Sequence, residues 1–403
     1  MDKKPLKLVW LCHYSLEHLK GRIALDLSAY NSHPATWIHE LATALVEGEE
    51  ADLHIITVSS QIPVDAIFHS GRLNVYAYSL ASGKGVSGRW GKLLRFRARR
   101  RLQQKIRDRV RKVSPDVITI HGTEHTFARH TADREIPAML WMQGVMQVIY
   151  KDSQDKVART LIAHEQSFFR SLRHFVTAQP HIHSLIRKLN PEAVFHPLFY
   201  PVNPEAFNLQ AKVPVWDLAF SGTLMERKGV EDLLQALALV NKERPQTTAC
   251  LIGPAESDAY LRYLREMADK LGIAANCNFS GRLINHSEVL EQVNLARLFV
   301  YPSHADTAPL SLAEAMALGK PVIAAMVDGI PAMVEHAHTG ILVPPREPEV
   351  LAREILRLLA APEEAAKLGK AAREHALLHF DPGAVARDYL TLCRSLIGSA
   401  QGK

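Results

Sequence analysis

Short apolar runs rich in β-branched residues recur along the chain, each closed by glycine, proline or a polar pair, with longer stretches of helical spacing between them. In the first half, the runs at 6–11, 53–58, 73–78, 116–121, 139–143, 174–178 and 194–199 predict strands. In the second half, 216–222, 249–254, 278–283, 298–301, 321–325 and 340–345 do the same. Helices are expected from His33-Pro34 to about 46 and over 84–112, 157–170, 230–241, 309–318 and 347–378. A last one runs to about 397, opened by Asp381-Pro382 as N-cap and first-turn pair. Strands alternating with helices predict parallel, doubly wound sheets in an α/β protein. At 403 residues the chain outgrows one ordinary core. The stretch Tyr200-Pro201-Val202-Asn203-Pro204-Glu205 reads as a linker and separates a domain over 1–205 from one over 206–380.

Composition changes this picture little: 47% hydrophobic and 22% charged residues describe an ordinary soluble globular chain. The net charge of +6 allows an acidic ligand or an anionic surface without demanding either. Cys12, Cys250, Cys277 and Cys393 are scattered without a CxxC spacing and read as reduced core residues of a cytosolic protein. Met1-Asp2-Lys3-Lys4-Pro5 runs straight into a strand with no apolar signal region, so a cytoplasmic location is expected.

One segment is strongly basic. Over 84–112, Trp90, Leu94, Ala98, Leu102, Ile106 and Val110 recur every four residues as an apolar stripe. Arg95, Arg97, Arg99, Arg100, Arg101, Arg107, Arg109 and Arg111 occupy the other faces, nearly unopposed by acids. The stripe is regular enough to be needed by a core. The charges fit either solvent or an anionic partner, such as the inner face of the cytoplasmic membrane along helix 90–112. Aromatics are not interleaved with the basic residues, so no nucleic-acid partner is expected.

The candidate chemistry lies mainly in the second half. Leu298-Phe299-Val300-Tyr301, the loop His304-Ala305-Asp306-Thr307-Ala308, a helix from Pro309 to Leu318 capped by Gly319, and Pro321-Val322-Ile323-Ala324-Ala325 form a β-α-β unit. A strand end beside a helix N-terminus suits anionic ligands, because unpaired backbone N–H groups and the helix dipole both favour negative charge. Asp306 and Glu314 bracket that place. In the first half the dinucleotide fingerprint GxGxxG is absent after the first strand. His33 at a helix start, His121 at one strand end and Gln143 at the next are the residues placed to line an acceptor site. His121 and His125 have a metal-ligand spacing, but Gly122 disfavours the helix it needs and only Glu124 could be a third ligand, so no metal site is expected.

Asp306-x7-Glu314, followed by Ala315-Met316-Ala317-Leu318-Gly319-Lys320-Pro321-Val322-Ile323-Ala324, resembles the donor-site signature of retaining GT-B glycosyltransferases of the family 4 type. That pattern usually reads Glu-x7-Glu; the first acid here is one methylene shorter. The resemblance continues through Asp328-Gly329-Ile330-Pro331 and Gly340-Ile341-Leu342-Val343-Pro344-Pro345. Thr223-Leu224-Met225-Glu226-Arg227-Lys228-Gly229, after Gly222, is similar to the family's Gly-Arg-Leu-x-x-x-Lys-Gly loop, with Thr223 in the arginine's place. Ser32-His33 stand where a Gly-Gly pair is common, Gln143 where a histidine is common, and Ala332 where a glutamate is common.

The resemblance implies two Rossmann-like domains with an interdomain cleft. The first binds the acceptor, the second the nucleotide-sugar donor, and a closing helix over 381–403 returns to the first. It implies transfer from a nucleotide-diphosphate sugar with retention, independent of metal and of any cofactor, the nucleotide sugar being a substrate. The acceptor would be a glycan, a lipid-linked molecule or a small molecule, in bacterial-type cell-surface polysaccharide or glycolipid synthesis. By the same resemblance Lys228, with Arg227 as neighbour, holds the diphosphate, and Asp306 the sugar hydroxyls. Glu314 would bind the ribose, and the turn with Gly281 and Leu283 the base. Gly222, Thr223 and the helix start Thr307-Ala308-Pro309-Leu310 complete the donor contacts. A nucleotide-sugar binder without transfer activity and a sugar-nucleotide epimerase of the same fold are the competing readings.

Overall fold

The structure is a computed structural model that describes residues 4–23, 25, 27, 36–80, 88–123, 136–150 and 155–401, with side chains at all of these except 88–96, 99, 148, 149, 400 and 401. The chain divides into two units, one made of Met1–Ala178, Ile182–Leu198 and Val385–Lys403, the other of Gln179–His181 and Phe199–Ala384.

Among the described residues the first unit is built on an 8-stranded sheet. Its strands are β1 (Leu6–Leu11), β2 (Ala51–Ser59), β3 (Ala66–Ser70), β4 (Leu73–Ser79), β5 (Val117–His121), β6 (Ala138–Trp141), β7 (His174–Val176) and β8 (Val194–His196). They lie in the order β3-β4-β2-β1-β5-β6-β7-β8. Neighbours are parallel except β3, which runs antiparallel to β4 at the edge. Central strands of a parallel sheet are covered on both faces and therefore read as unbroken apolar runs. Leu8, Val9, Trp10 and Leu11 of β1 are all fully buried.

The basic segment forms the helix Gly88–Val113. Ile106, Val110 and Val113 are buried and Leu102 packs against the same core, so the stripe serves the fold. Arg97, Arg100 and Arg101 are exposed, whereas Arg109 stacks its guanidinium 4.2 Å from the Tyr76 ring centre. The side chains of Trp90, Leu94, Arg95 and Arg99 lie outside those described.

Three local features depart from the sequence reading. The strand β3 was not expected, and the loop after β1 contains a 3-10 turn, Leu16–Leu19, that buries both leucines. The expected helix over 347–378 is two helices, Pro348–Ala360 and Pro362–His379. The break falls at Ala361 (φ −121°, ψ 69°), because the residue before a proline is disfavoured in the α region.

The second unit has a 6-stranded, wholly parallel sheet. Its strands are β9 (Trp216–Ser221), β10 (Ala249–Ile252), β11 (Cys277–Gly281), β12 (Ala296–Tyr301), β13 (Val322–Ala325) and β14 (Ile341–Val343), in the order β11-β10-β9-β12-β13-β14. Chain order reverses between β9 and β12. That switch point, at the carboxyl ends of the strands, is where the following loops diverge and leave room for a ligand.

The last helix, Pro382–Gln401, starts as expected, with Asp381 Oδ1 accepting the Ala384 N–H at 2.9 Å. From Val385 on it belongs to the first unit. There the fully buried Tyr389 hydroxyl accepts a hydrogen bond from Trp10 Nε1 at 2.8 Å and shares one with Thr119 Oγ1 at 2.6 Å.

Candidate functional site

At the switch point the polypeptide approaches itself more closely than side chains permit. Gly222, just after β9, has φ +148°, and a Cβ on Gly253, just after β10, would lie 2.2 Å from the Gly222 carbonyl oxygen. Thr223, next in the turn, is exposed. After a 3-10 turn at Glu226–Lys228, Gly229 takes a left-handed conformation (φ 67°, ψ 30°) and opens the helix Val230–Glu243. A Cβ at Gly229 would stand 2.0 Å from the Pro302 carbonyl oxygen, so glycine is required on two counts. This close approach seats Lys228 against the loop that follows β12.

That loop is held by backbone. His304 N–H and Ser303 Oγ both donate to the Arg227 carbonyl, at 2.8 and 3.1 Å. Gly329 N–H donates to the Asp306 carbonyl at 3.1 Å, and a Cβ on Gly329 would meet the Thr307 carbonyl oxygen at 1.6 Å. His304 Nε2 is 2.8 Å from Asp232 Oδ2, tying the loop to the helix Val230–Glu243. Arg227 is exposed and donates to the Ala305 carbonyl at 2.6 Å, so in this structure its guanidinium holds backbone and does not join Lys228.

Lys228 and Asp306 form an ion pair whose side chains are only 14% and 13% exposed. Tyr301, ending β12 and 1% exposed, stands at the third corner. Its hydroxyl accepts from Lys228 Nζ at 2.5 Å and donates to Asp306 Oδ2 at 2.7 Å. Burial first, and the Asp306 carboxylate second, push the Tyr301 phenol well above its ordinary range, so it remains a neutral donor. Asp306 Oδ1 has no partner among the described residues.

The helix Leu310–Ala317 starts at Pro309, whose carbonyl accepts from the N–H groups of Leu312 and Ala313. It closes on Gly319 (φ +72°), with Lys320 N–H bonded to the Ala315 carbonyl and Gly319 N–H to that of Met316. Thr307 and Ala308 are half-buried just before it. Glu314, on its second turn, is 8% exposed, and His286 Nε2 lies 2.7 Å from its Oε1. His286 opens the helix His286–Asn294, reached from Gly281 (φ +67°) through half-buried Leu283.

Gly222, Thr223, Lys228, Gly281, Asp306 through Leu310 and Glu314 thus all lie at or just beyond the carboxyl ends of β9, β11 and β12. A cation, the free N–H groups of a helix start and two carboxylates suit a ligand with a multiply charged anionic centre and hydroxyls on both sides.

The residues assigned to the first unit fare differently. His33 lies outside the described residues, as do Glu124 and His125. His121 is 2% exposed, packed against Trp10, Trp37 and Trp141, with both ring nitrogens unpartnered among the described residues. Burial pushes its imidazole down to about 3, so the ring is neutral. Gln143 is half-buried just beyond β6. Among the described residues no group of three or more His, Cys, Asp or Glu could hold a metal ion, and no helix is long and apolar enough to cross a membrane.

Sequence reasoning did not single out Tyr301, His286, His304, Asp232 or Glu165. Fully buried Glu165 accepts from the N–H groups of Met146 and Gln147, at 2.8 and 3.1 Å, and from Thr123 Oγ1 at 2.9 Å. An unpaired glutamate in the apolar register of 157–170 is the signal that would have found it.

Residues 204–375 match the family model described as glycosyl transferases group 1. The chain is 33% identical to the D-inositol 3-phosphate glycosyltransferase of Segniliparus rotundus over 160 residues, which is 40% of this chain and about a third (35%) of that protein. To the D-inositol 3-phosphate glycosyltransferase of Thermobispora bispora it is 27% identical over 379 residues, 90% of this chain and 81% of that one. Among solved structures, a sucrose-phosphate synthase from Thermosynechococcus elongatus superposes with a TM-score of 0.73 at 22% identity, covering 98% and 100% of the two chains. HepE of Anabaena, solved in complex with UDP, gives 0.67 at 16% identity over 97% and 100%. The fold is GT-B, with two parallel-sheet, Rossmann-like units.

Proposed function

Starting from residues 204–375 as a member of the glycosyl transferases group 1 family, we propose that the chain is a retaining glycosyltransferase acting on a nucleotide-diphosphate sugar. The observation that carries the proposal is Lys228 held beside Asp306 and the Pro309 helix start, at the switch point of the second sheet. Cleavage of the sugar–phosphate bond leaves negative charge on the diphosphate and positive charge on the sugar. Lys228 and the helix N–H groups stabilise the first without a metal, and the Asp306 carboxylate faces the second. Glu314, buried and bonded through Oε1 to His286, offers its Oε2 to the ribose hydroxyls. A phosphate oxygen of the leaving group deprotonates the acceptor on the same face of the sugar, which gives retention. The UDP complex of HepE supports a nucleotide donor. The likeness to D-inositol 3-phosphate glycosyltransferases and to a sucrose-phosphate synthase adds small phosphorylated acceptors to the glycan and lipid-linked ones.

The test is a thermal-shift panel of UDP-, GDP- and ADP-sugars, in which a donor at 100 times its Kd stabilises by about 2.7 kcal/mol. Nucleoside diphosphate released only when acceptor is added identifies a transferase. Donor interconversion without release identifies an epimerase, and binding without either identifies a binder. The exposed Arg97, Arg100 and Arg101 support a second feature, docking of the basic helix on anionic lipid at the inner face of the cytoplasmic membrane. Co-sedimentation with liposomes should then rise with anionic content and fall with salt; equal pelleting with neutral vesicles removes the proposal.

A further inference from the structure

The ion pair between Lys228 and Asp306 joins two groups that the donor needs apart: the ammonium for the diphosphate and the carboxylate for the sugar. We propose that Tyr301 is a positioning residue of the donor site, keeping the Asp306 carboxylate in place once a diphosphate has drawn Lys228 away from it. The inference rests on the donor-site reading above.

With only 14% of its side chain exposed, the Lys228 ammonium has Asp306 as its counter-ion. An arriving diphosphate competes for that cation with a charge-assisted contact of its own. Asp306 is then left in a 13% exposed position, losing its cation as a second anion approaches. Both changes favour a swing of the side chain away from the sugar. The Gly329 N–H fixes the Asp306 carbonyl but not its carboxylate. What still holds the carboxylate is the Tyr301 hydroxyl, 2.7 Å from Oδ2.

Tyr301 is suited to this because it cannot follow. It is 1% exposed, and its ring stacks on Phe220 at 5.7 Å and on Phe299 at 6.2 Å between centres, all three on central strands. A phenylalanine would fill the same space. A buried hydroxyl costs free energy unless it is bonded, and this one bonds to the two groups expected to handle the donor. Held through Oδ2, the carboxylate leaves Oδ1 for a sugar hydroxyl.

The experiment compares wild type, Tyr301→Phe and Asp306→Asn in the full chain. Calorimetry gives the affinity for UDP, GDP and ADP. Nucleoside-diphosphate release is followed from the glucose conjugate of whichever nucleotide binds, at saturating donor and with the acceptor whose addition triggers release in the wild type. Tyr301→Phe is expected to bind nucleotide within about threefold of wild type while its maximal release rate falls about tenfold or more, a split that loss of packing alone does not produce. Asp306→Asn is expected to bind nucleotide about three- to tenfold more tightly, because Lys228 no longer has a carboxylate to leave, and to release it more slowly.

A Tyr301→Phe protein that turns over at the wild-type rate, or whose nucleotide affinity falls in step with its rate, overturns the inference. Should that variant not fold, an Asp306→Asn protein binding nucleotide no more tightly than wild type overturns it instead. A wild-type protein that binds none of the three nucleotides overturns the glycosyltransferase reading itself.

Discussion

Gly229 allows the link between local backbone and site geometry to be tested with a single methyl group. An L-residue at φ 67°, ψ 30° costs roughly 1–2 kcal/mol. The Cβ of Gly229→Ala would also stand 2.0 Å from the Pro302 carbonyl oxygen and 2.8 Å from its carbon. A relaxed carbon–oxygen contact is about 3.3 Å, so the two segments must part by roughly 1.3 Å. Both partners are backbone and neither can rotate out of the way. Overpacking of this kind adds roughly 1–3 kcal/mol. The parting moves Lys228 on one side and the Ser303–Asp306 loop on the other, and about 1 Å of misplacement costs on the order of 10²-fold in rate.

Gly319→Ala is the control. Its φ is +72°, but the nearest atom to its Cβ lies at 3.7 Å, so it has the strain without the collision. Urea unfolding should place Gly229→Ala about 1–3 kcal/mol below Gly319→Ala. Calorimetry and donor turnover should show nucleotide affinity and rate collapsing only in the former. Equal affinity and rate in the two variants would refute the reasoning.

Three further outcomes are expected. Glu314→Gln should raise donor KM and weaken free nucleoside diphosphate about tenfold with kcat little changed, because a ribose contact serves ground and transition states alike; a fall in kcat at constant nucleotide affinity would reassign the residue. Lys320 is 8% exposed, its Nζ donates to the Asn294 and Ala296 carbonyls, and burial pushes its ammonium down to about 8 from 10.5. Between those values the unfolded chain binds more protons, so this group makes stability rise with pH, by about 1.6 kcal/mol from pH 8 to 9.5; urea midpoints of wild type minus Lys320→Met at both pH values should show that slope, and a flat difference denies it. Glu165→Gln turns an amide donor toward two backbone N–H groups or leaves one unmet, and should cost about 1.5–3 kcal/mol in urea unfolding.

The sheets were legible because buried parallel strands are unbroken apolar runs, and Val9 or Phe299 has no second reading. The strand β3 was not, since an edge strand with exposed Ile67 carries no apolar run, although Gly71 (φ +55°) in the turn to β4 was a signal that could have found it. The proline at 362 was a legible stop that a long helical pattern obscured. Lys228, Asp306 and Glu314 were singled out through a spaced motif. Tyr301 was missed because pattern assigns it to the core, which is true of its ring and false of its hydroxyl. His121 shows the converse: a strand end next to glycine suggests an open position, but the tryptophans that cover it come from residues 10, 37 and 141, far apart in sequence.

The contribution of Val385–Lys403 to the first unit has a consequence for synthesis on the ribosome. Domains generally fold as they emerge, N-terminal first. Here the strands from β1 to β8 leave the exit tunnel early, yet Trp10 Nε1 and Thr119 Oγ1 wait for Tyr389 to arrive. Apart from Gln179–His181, the second unit is one unbroken stretch, Phe199–Ala384, and all of it is made before Val385. Order of birth and order of completion are therefore inverted. A nascent chain stalled near 384 holds a complete second unit and an unfinished first one, the state in which a chaperone would meet it.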